Sequence, residues 1–157
     1  MTRSFHILVD DRGLSRALLE NWVPAIDPDV TWFIGDTDPD PELLHDIIPV
    51  VPMSALELGS ALAEFNASTN ETRVVAIFES IDHLVRASQF GLAAQRAVLV
   101  NIRGNGDRLS AQVTVSPEQS AQLKKLQEKG FEFNLQPLPN VTSRGLRSAT
   151  MTVGGEG

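Results

Sequence analysis

Apolar residues occur along this chain in two rhythms, short unbroken runs and stretches spaced three or four apart, and the two alternate. Residues 5–9 form a mainly apolar, strand-like run that ends in the charged turn Asp10-Asp11-Arg12. From Leu14 the apolar positions Ala17, Leu18, Leu19 and Trp22 recur at helical spacing. Residues 30–34 read as the next strand, entered through Asp27-Pro28-Asp29. A loop at 36–41 leads to a helix with Asp40 as N-cap, Pro41 at its first position and an apolar face of Leu43, Leu44, Ile47 and Ile48. Residues 49–53 form a short extended piece whose prolines confine it to a sheet edge.

The second half repeats the alternation. Ser54 and Glu57 form a capping box opening a helix that runs to about Phe65. Residues 73–78 are a continuous apolar run, as a central parallel strand requires. Ser80 caps a helix through Gln89, and Gly91 can end it. Residues 97–102 are another buried strand, 103–108 a glycine-containing loop, and 111–115 a returning strand. Ser116-Pro117 opens a helix ending at Lys129-Gly130, and 131–135 alternate like a last strand. This grammar predicts an α/β fold: an open, mostly parallel sheet with helices on both faces, in a single domain. The domain is assigned to residues 1–139. Residues 140–157, rich in Ser, Thr, Gly and Arg, are set apart as a partly disordered C-terminal extension.

Composition narrows the function classes. A chain of 157 residues buries about two-thirds of its unfolded surface. Its 42% apolar and 21% charged residues are ordinary for a globular protein. A net charge of −7 disfavours nucleic acid and anionic membranes as partners. With no cysteine, disulfides, thiol catalysis and thiolate metal sites are excluded. The apolar runs at 74–78 and 97–100 are too short for membrane insertion, and Asp10 interrupts any signal-peptide core, so a cytoplasmic location is expected. In that compartment the Asn-x-Ser/Thr sequons at Asn66, Asn70 and Asn140 carry no weight.

Candidate chemistry gathers at the first strand-to-helix turn. In an open α/β sheet such a turn lies at the carboxyl end of a strand, where ligands bind, and a helix N-terminus flanked by Arg12 and Arg16 suits an anion. Arg12 has two readings, a fork presented to phosphate or an internal ion pair with Asp10 or Asp11. Arg16, one turn along, either adds to the positive site or is solvated. Ser15 reads as a helix cap or an anion's hydrogen-bond partner, with no histidine beside it in sequence to serve as its base. His6 points to a sheet face and His45 lies mid-helix, so His83, in the first turn of the helix capped by Ser80, is the histidine nearest the strand ends. Gly104-Asn105-Gly106 lacks the third glycine of a dinucleotide loop and precedes a strand, so it reads as a turn whose Arg103 and Arg108 could approach an anion. The acids of 36–42 lack calcium-loop order; no metal site and no cofactor are predicted.

Asp10-Asp11-Arg12-Gly13-Leu14-Ser15 resembles the opening motif of the mannose/sorbose-type IIB subunits of the bacterial sugar phosphotransferase system, roughly I-D-D-R-L-I-H-G-Q-V, whose histidine carries the phosphoryl group. Asp10, Asp11 and Arg12 match, and Ser15 stands at the histidine's place. Residues 75–86 are similar to the family's F-K-S-P-E-D-A-L-R strand and helix, Asn101 to Asn105 to its N-V-G-G-M loop, and residues 125–133 to its closing helix, turn and strand. The likeness runs over about residues 4–139. Arg103 departs from the pattern, as does Ser15. What the resemblance implies is phosphoryl relay from a IIA donor to a sugar entering through membrane-embedded IIC and IID partners. The anion site is assigned to Asp10, Asp11, Arg12, Arg16, Ser80, His83 and Arg103, with a sugar or phosphate as the expected ligand and a homodimer as a candidate assembly. The missing carrier histidine raises the alternative of a IIB-like regulatory or phospho-ligand-binding protein without carrier activity.

Overall fold

Unbroken apolar runs need cover on both sides, and the sheet gives them that by placing the most apolar strands at its centre. The structure, a computed structural model, describes residues 4–37, 42, 50–68, 72–140 and 144–146. Strand β1 (Ser4–Asp10) pairs in parallel with β4 (Arg73–Phe78) on one side and β5 (Arg96–Arg103) on the other, with Ile7 opposite both Ala76 and Ala97. Beyond β4 lie β2 (Val30–Ile34) and then β3 (Val50–Met53) at the edge, where Pro52 needs no ladder partner on its far side. Beyond β5 the sheet divides. One end of β5 pairs with β8 (Glu132–Leu135), the other with β7 (Val113–Val115). Two short antiparallel strands finish the nine-stranded sheet of the described residues: β6 (Asp107–Arg108) on β7 and β9 (Arg144–Leu146) on β8.

Right-handed crossovers decide which face each helix takes. The chain moves one way across the sheet from β1 to β2 and returns the other way from β3 through β4 to β5, so the helices fall on opposite faces. Helices α2 (Ala55–Ala67), α3 (Ile81–Gln89) and α4 (Pro117–Glu128) bury Leu58, Leu84 and Leu123 against Ile7, Val9, Ala76, Phe78 and Leu99. On the other face Leu18, Trp22 and Val23 pack on Leu8, Phe33, Val75, Ile77 and Val100. Burying each of these side chains contributes about 1.5–3 kcal/mol.

The helix starts follow the sequence signals. Ser54 Oγ accepts from the Glu57 amide while Glu57 Oε1 accepts from the Ser54 amide, and Ser116 and Gln119 repeat the arrangement. Gly91 follows α3 with φ of +114°.

Three features differ in detail from the pattern-based reading. The first helix is not regular: a π-helical turn (Leu18–Trp22) precedes the short α1 (Val23–Ile26), with Val23 N–H reaching the Leu18 carbonyl. Pro24 explains it, because a proline ring in an α-helix clashes with the carbonyl four residues back, and the wider turn relieves that contact. The loop after β5 folds back as the tight β6–β7 hairpin. Strand β9 lies beyond the sequence-based boundary at residue 139 and joins the same sheet, so 131–135 do not form the last strand. The helix expected from Pro41 to Ile48, with His45, falls outside the described residues except for Glu42.

Candidate functional site

Strands β1 and β4 are neighbours whose following segments leave towards opposite faces, so a crevice opens at their carboxyl ends. The turn after β1 forms one wall. Gly13 N–H closes it on the Asp10 carbonyl at 3.0 Å, and Gly13 takes φ of +77°, a conformation that strains any residue with a side chain.

Within this turn the charges pair internally. Asp10 is fully buried, and its carboxylate receives the Arg12 side chain as a two-pronged fork, Nε to Oδ1 at 2.9 Å and Nη2 to Oδ2 at 2.6 Å. The Arg12 amide adds a third bond to Oδ1 at 3.0 Å. The hydrogen bond to Asp10 raises the Arg12 pKa above its ordinary value, more than partial burial lowers it, and the charges of Asp10 and Asp11 add to the rise. Of the two readings of Arg12, the geometry displays the ion pair, with the remaining guanidinium N–H groups uncommitted among the described residues on a side chain 38% exposed. Asp11 turns the other way, to β5. Its carboxylate accepts from Asn101 Nδ2 at 3.0 Å, from the Arg103 amide and from Arg103 Nε at 3.3 Å.

Ser15 serves the helix. Its Oγ accepts from the Leu18 amide at 3.2 Å and its carbonyl from the Leu19 amide at 3.1 Å. Arg16 sits outside the cluster on an exposed helical surface, 3.6 Å from Glu20 one turn on.

The opposite wall comes from the loops after β2 and β4. Ser80 caps α3, its Oγ accepting from the His83 amide at 3.1 Å and lying 2.6 Å from His83 Nδ1. The imidazole is buried, and its Nε2 approaches Asp36 Oδ2 to 3.1 Å, off the axis of a hydrogen bond. Glu79 ties the same loops together. Its carboxylate takes the Asp36 amide at 2.8 Å, the Thr37 amide at 3.4 Å and the Thr37 hydroxyl at 2.6 Å. It also lies within 4.0 Å of where a side chain on Gly13 would begin, which brings the two walls together. Gly35 is required here, since an added Cβ would stand 2.9 Å from that of Glu79 and closer still to its Oε1.

The predicted residues thus form two clusters, Asp10, Asp11, Arg12 and Arg103 on one side and Ser80 with His83 on the other. Sequence reasoning missed the residues that bind each cluster, Asn101, Asp36 and Glu79. Glu79 directly follows the buried strand β4 and Asn101 lies near the end of β5, so their place at the strand ends is the local signal available for them. Of the other histidines, His6 lies at the opposite end of β1. Desolvation, and secondarily the charge of Arg73, holds its pKa below the ordinary 6.5. Arg108, on β6, contacts the Ser110 carbonyl. Beside Ser80 a cleft of about 260 Å³ runs between the starts of α3 and α4, lined by Asp82, Gly104, Ser116, Glu118 and Gln122. Among the described residues no three His, Asp or Glu side chains converge as a metal-ligating set. None of the helices found there is long and apolar enough to cross a membrane.

Solved structures share this architecture. The N-acetylgalactosamine-specific IIB component 1 of the phosphotransferase system from Escherichia coli superposes with a TM-score of 0.75 at 10% identity, over 92% of this chain and 100% of that one. The IIB domain of the sorbose permease from Klebsiella pneumoniae gives 0.74 at 12%, covering 91% and 93%. The fold is that of phosphotransferase-system IIB components. The manxB protein of Thermoanaerobacter tengcongensis matches over 97% of this chain and 99% of its own, with a TM-score of 0.72 and 17% identity. No family model matches the sequence, and no curated protein matches it either.

Proposed function

We propose that this chain is a IIB-type protein of a bacterial sugar phosphotransferase system that engages the system's partners without carrying a phosphoryl group on its first turn. In this reading it is a regulatory or phospho-ligand-binding member of the mannose/sorbose type, working in the cytoplasm beside a IIA donor and membrane-embedded IIC and IID subunits. The shared fold supports the IIB-type role.

The observation that carries the finer reading is Ser15, the residue at the place of the family's carrier histidine. Its hydroxyl is the helix cap of the first turn, 3.2 Å from the Leu18 amide, and among the described residues no imidazole is hydrogen-bonded to it. A phosphohistidine is a labile phosphoramidate that can hand its phosphoryl group to a sugar hydroxyl. A phosphoserine is a phosphate monoester, among the slowest of bonds to hydrolyse unaided, and would stall a relay. The relay reading needs another acceptor nitrogen, and among the described residues His83 is the histidine at this edge, but Ser80 and Asp36 flank both of its ring nitrogens.

Phosphoryl transfer from a phosphorylated IIA donor, followed by mass spectrometry, tests the proposal on wild type and Ser15→His. No transfer to wild type, with transfer to Ser15→His, is the expected result. A phosphoryl group on wild-type His83 or Ser15 restores the relay reading and overturns this one. Titration with sulfate and phosphate examines the anion role separately: Arg12→Ala should bind more weakly than wild type, and equal, negligible binding by both would remove Arg12 and its neighbours from it.

A further inference from the structure

We propose that Ser80, His83 and Asp36 form a nucleophile relay, and that the chain has a serine esterase activity towards small neutral or cationic esters. Asp36 comes from the loop after β2, Ser80 is the N-cap of α3 and His83 lies in that helix's first turn, so a hydroxyl, an imidazole and a carboxylate stand in sequence at the carboxyl edge of the sheet. Ser80 Oγ is 2.6 Å from His83 Nδ1, and the far ring nitrogen is 3.1 Å from Asp36 Oδ2. With the hydroxyl donating to Nδ1, the ring carries its proton on Nε2, which lies 3.1 Å from Asp36 Oδ2 but off the axis of a hydrogen bond, so Asp36 acts by its charge alone, stabilising the imidazolium formed during attack. The His83 amide bonds Ser80 Oγ and occupies one lone pair, leaving the other for bond formation.

The surroundings supply the remaining parts. Ser80 is half-buried and lines the cleft of about 260 Å³, room for a small acyl group and its alcohol. Ile81 and Asp82 occupy the first turn of α3, and neither amide donates to a protein acceptor among the described residues, so both N–H groups remain for an oxyanion at a helix N-terminus. Glu118 and Asp82 border the cleft. Asp82 is offset by Arg86 at 2.9 Å and Gln122 at 3.0 Å, whereas Glu118 has no such partner among the described residues, which disfavours an anionic substrate.

In the reaction Ser80 Oγ bonds to the ester carbonyl carbon while its proton passes to His83 Nδ1. The oxyanion collapses, the carbon–oxygen bond to the alcohol breaks, and the alcohol leaves with that proton. Water then adds to the acyl-enzyme, giving a proton to Nδ1 that returns to Ser80 Oγ as the carboxylic acid departs. No oxidant or further reactant is needed.

The test uses p-nitrophenyl acetate hydrolysis and labelling by a fluorophosphonate, with peptide mapping. Because the chain has no cysteine, no thiol competes for the label. Wild type should show a burst and one label per chain, on Ser80. Ser80→Asp keeps an N-cap acceptor, so its circular dichroism should match wild type while burst and label vanish. His83→Gln should slow acylation by about 10²-fold, and Asp36→Asn should slow it less. Mono-p-nitrophenyl glutarate, an anionic ester, should react more slowly than the acetate. Hydrolysis by wild type no faster than by Ser80→Asp, or a label on another residue, overturns the proposal, and faster reaction of the anionic ester overturns the substrate class.

Discussion

Replacing Arg12 by alanine removes one half of a charge pair whose other half has no access to water. Asp10 would keep the bond from the residue-12 amide at 3.0 Å but lose the two guanidinium bonds at 2.9 and 2.6 Å. Hydrogen bonds to charged groups are each worth about 1.5–3 kcal/mol net, so their sum is about 3–6 kcal/mol. Arg12 is 38% exposed, so water screens part of that interaction and can reach the carboxylate once the side chain is gone. Halving the sum for that reason leaves about 1.5–3 kcal/mol, at or below the low end of the roughly 3–5 kcal/mol for breaking a fully buried pair. At about 2–4 °C per kcal/mol for a chain of this size, Tm should fall by about 3–12 °C at neutral pH. Differential scanning calorimetry on wild type, Arg12→Ala, Asp10→Asn and the double variant measures it. The double variant should lose clearly less than the two single losses combined, because each single change leaves a partner stranded. A fall in Tm below about 1 °C for Arg12→Ala, or additive losses, would refute this account and free the guanidinium for an external anion.

Ser15→Ala should cost about 1 kcal/mol, the usual loss of an N-cap hydroxyl, read by chemical denaturation. A null result would mean that the contact with the Leu18 amide carries no weight. Gly35→Ala should destabilise by about 1–3 kcal/mol as its Cβ forces Glu79 off the 36–37 loop. Hydrogen exchange of the Asp36 amide should quicken in the same variant. For His6 the folded pKa lies below the ordinary 6.5, so the unfolded chain binds the proton more readily. Stability is therefore full above about pH 6.5 and is lost as the pH falls below it. His6→Gln should narrow the difference in Tm between pH 7.5 and pH 5, and an unchanged difference would refute the assignment to this ring.

Much of the fold was legible from local chemistry. The capping boxes at Ser54 and Ser116, the cap at Ser80 and the apolar runs of β1, β4 and β5 depend on residues within a turn or a strand of one another. Proline placed β3 at an edge for the same local reason. The π-helical turn before Pro24 escaped because helical spacing alone does not separate one register from the next. Strand β9 escaped because a three-residue antiparallel partner of β8 has no periodicity of its own.

The site divides in the same way. The sequence by itself determined that Asp10, Asp11, Arg12, Ser15, Ser80 and His83 stand at strand ends, because strand, turn and cap are written within a few residues. Tertiary structure alone decided what each of them faces. Burial at the centre of the sheet turned the Arg12 fork onto Asp10, since an unpaired carboxylate there is costly. Parallel pairing of β1 with β5 brought Arg103 to Asp11, 92 residues away, and the neighbouring β2 and β4 brought Asp36 to His83. Such contacts depend on strand order, which no local pattern encodes.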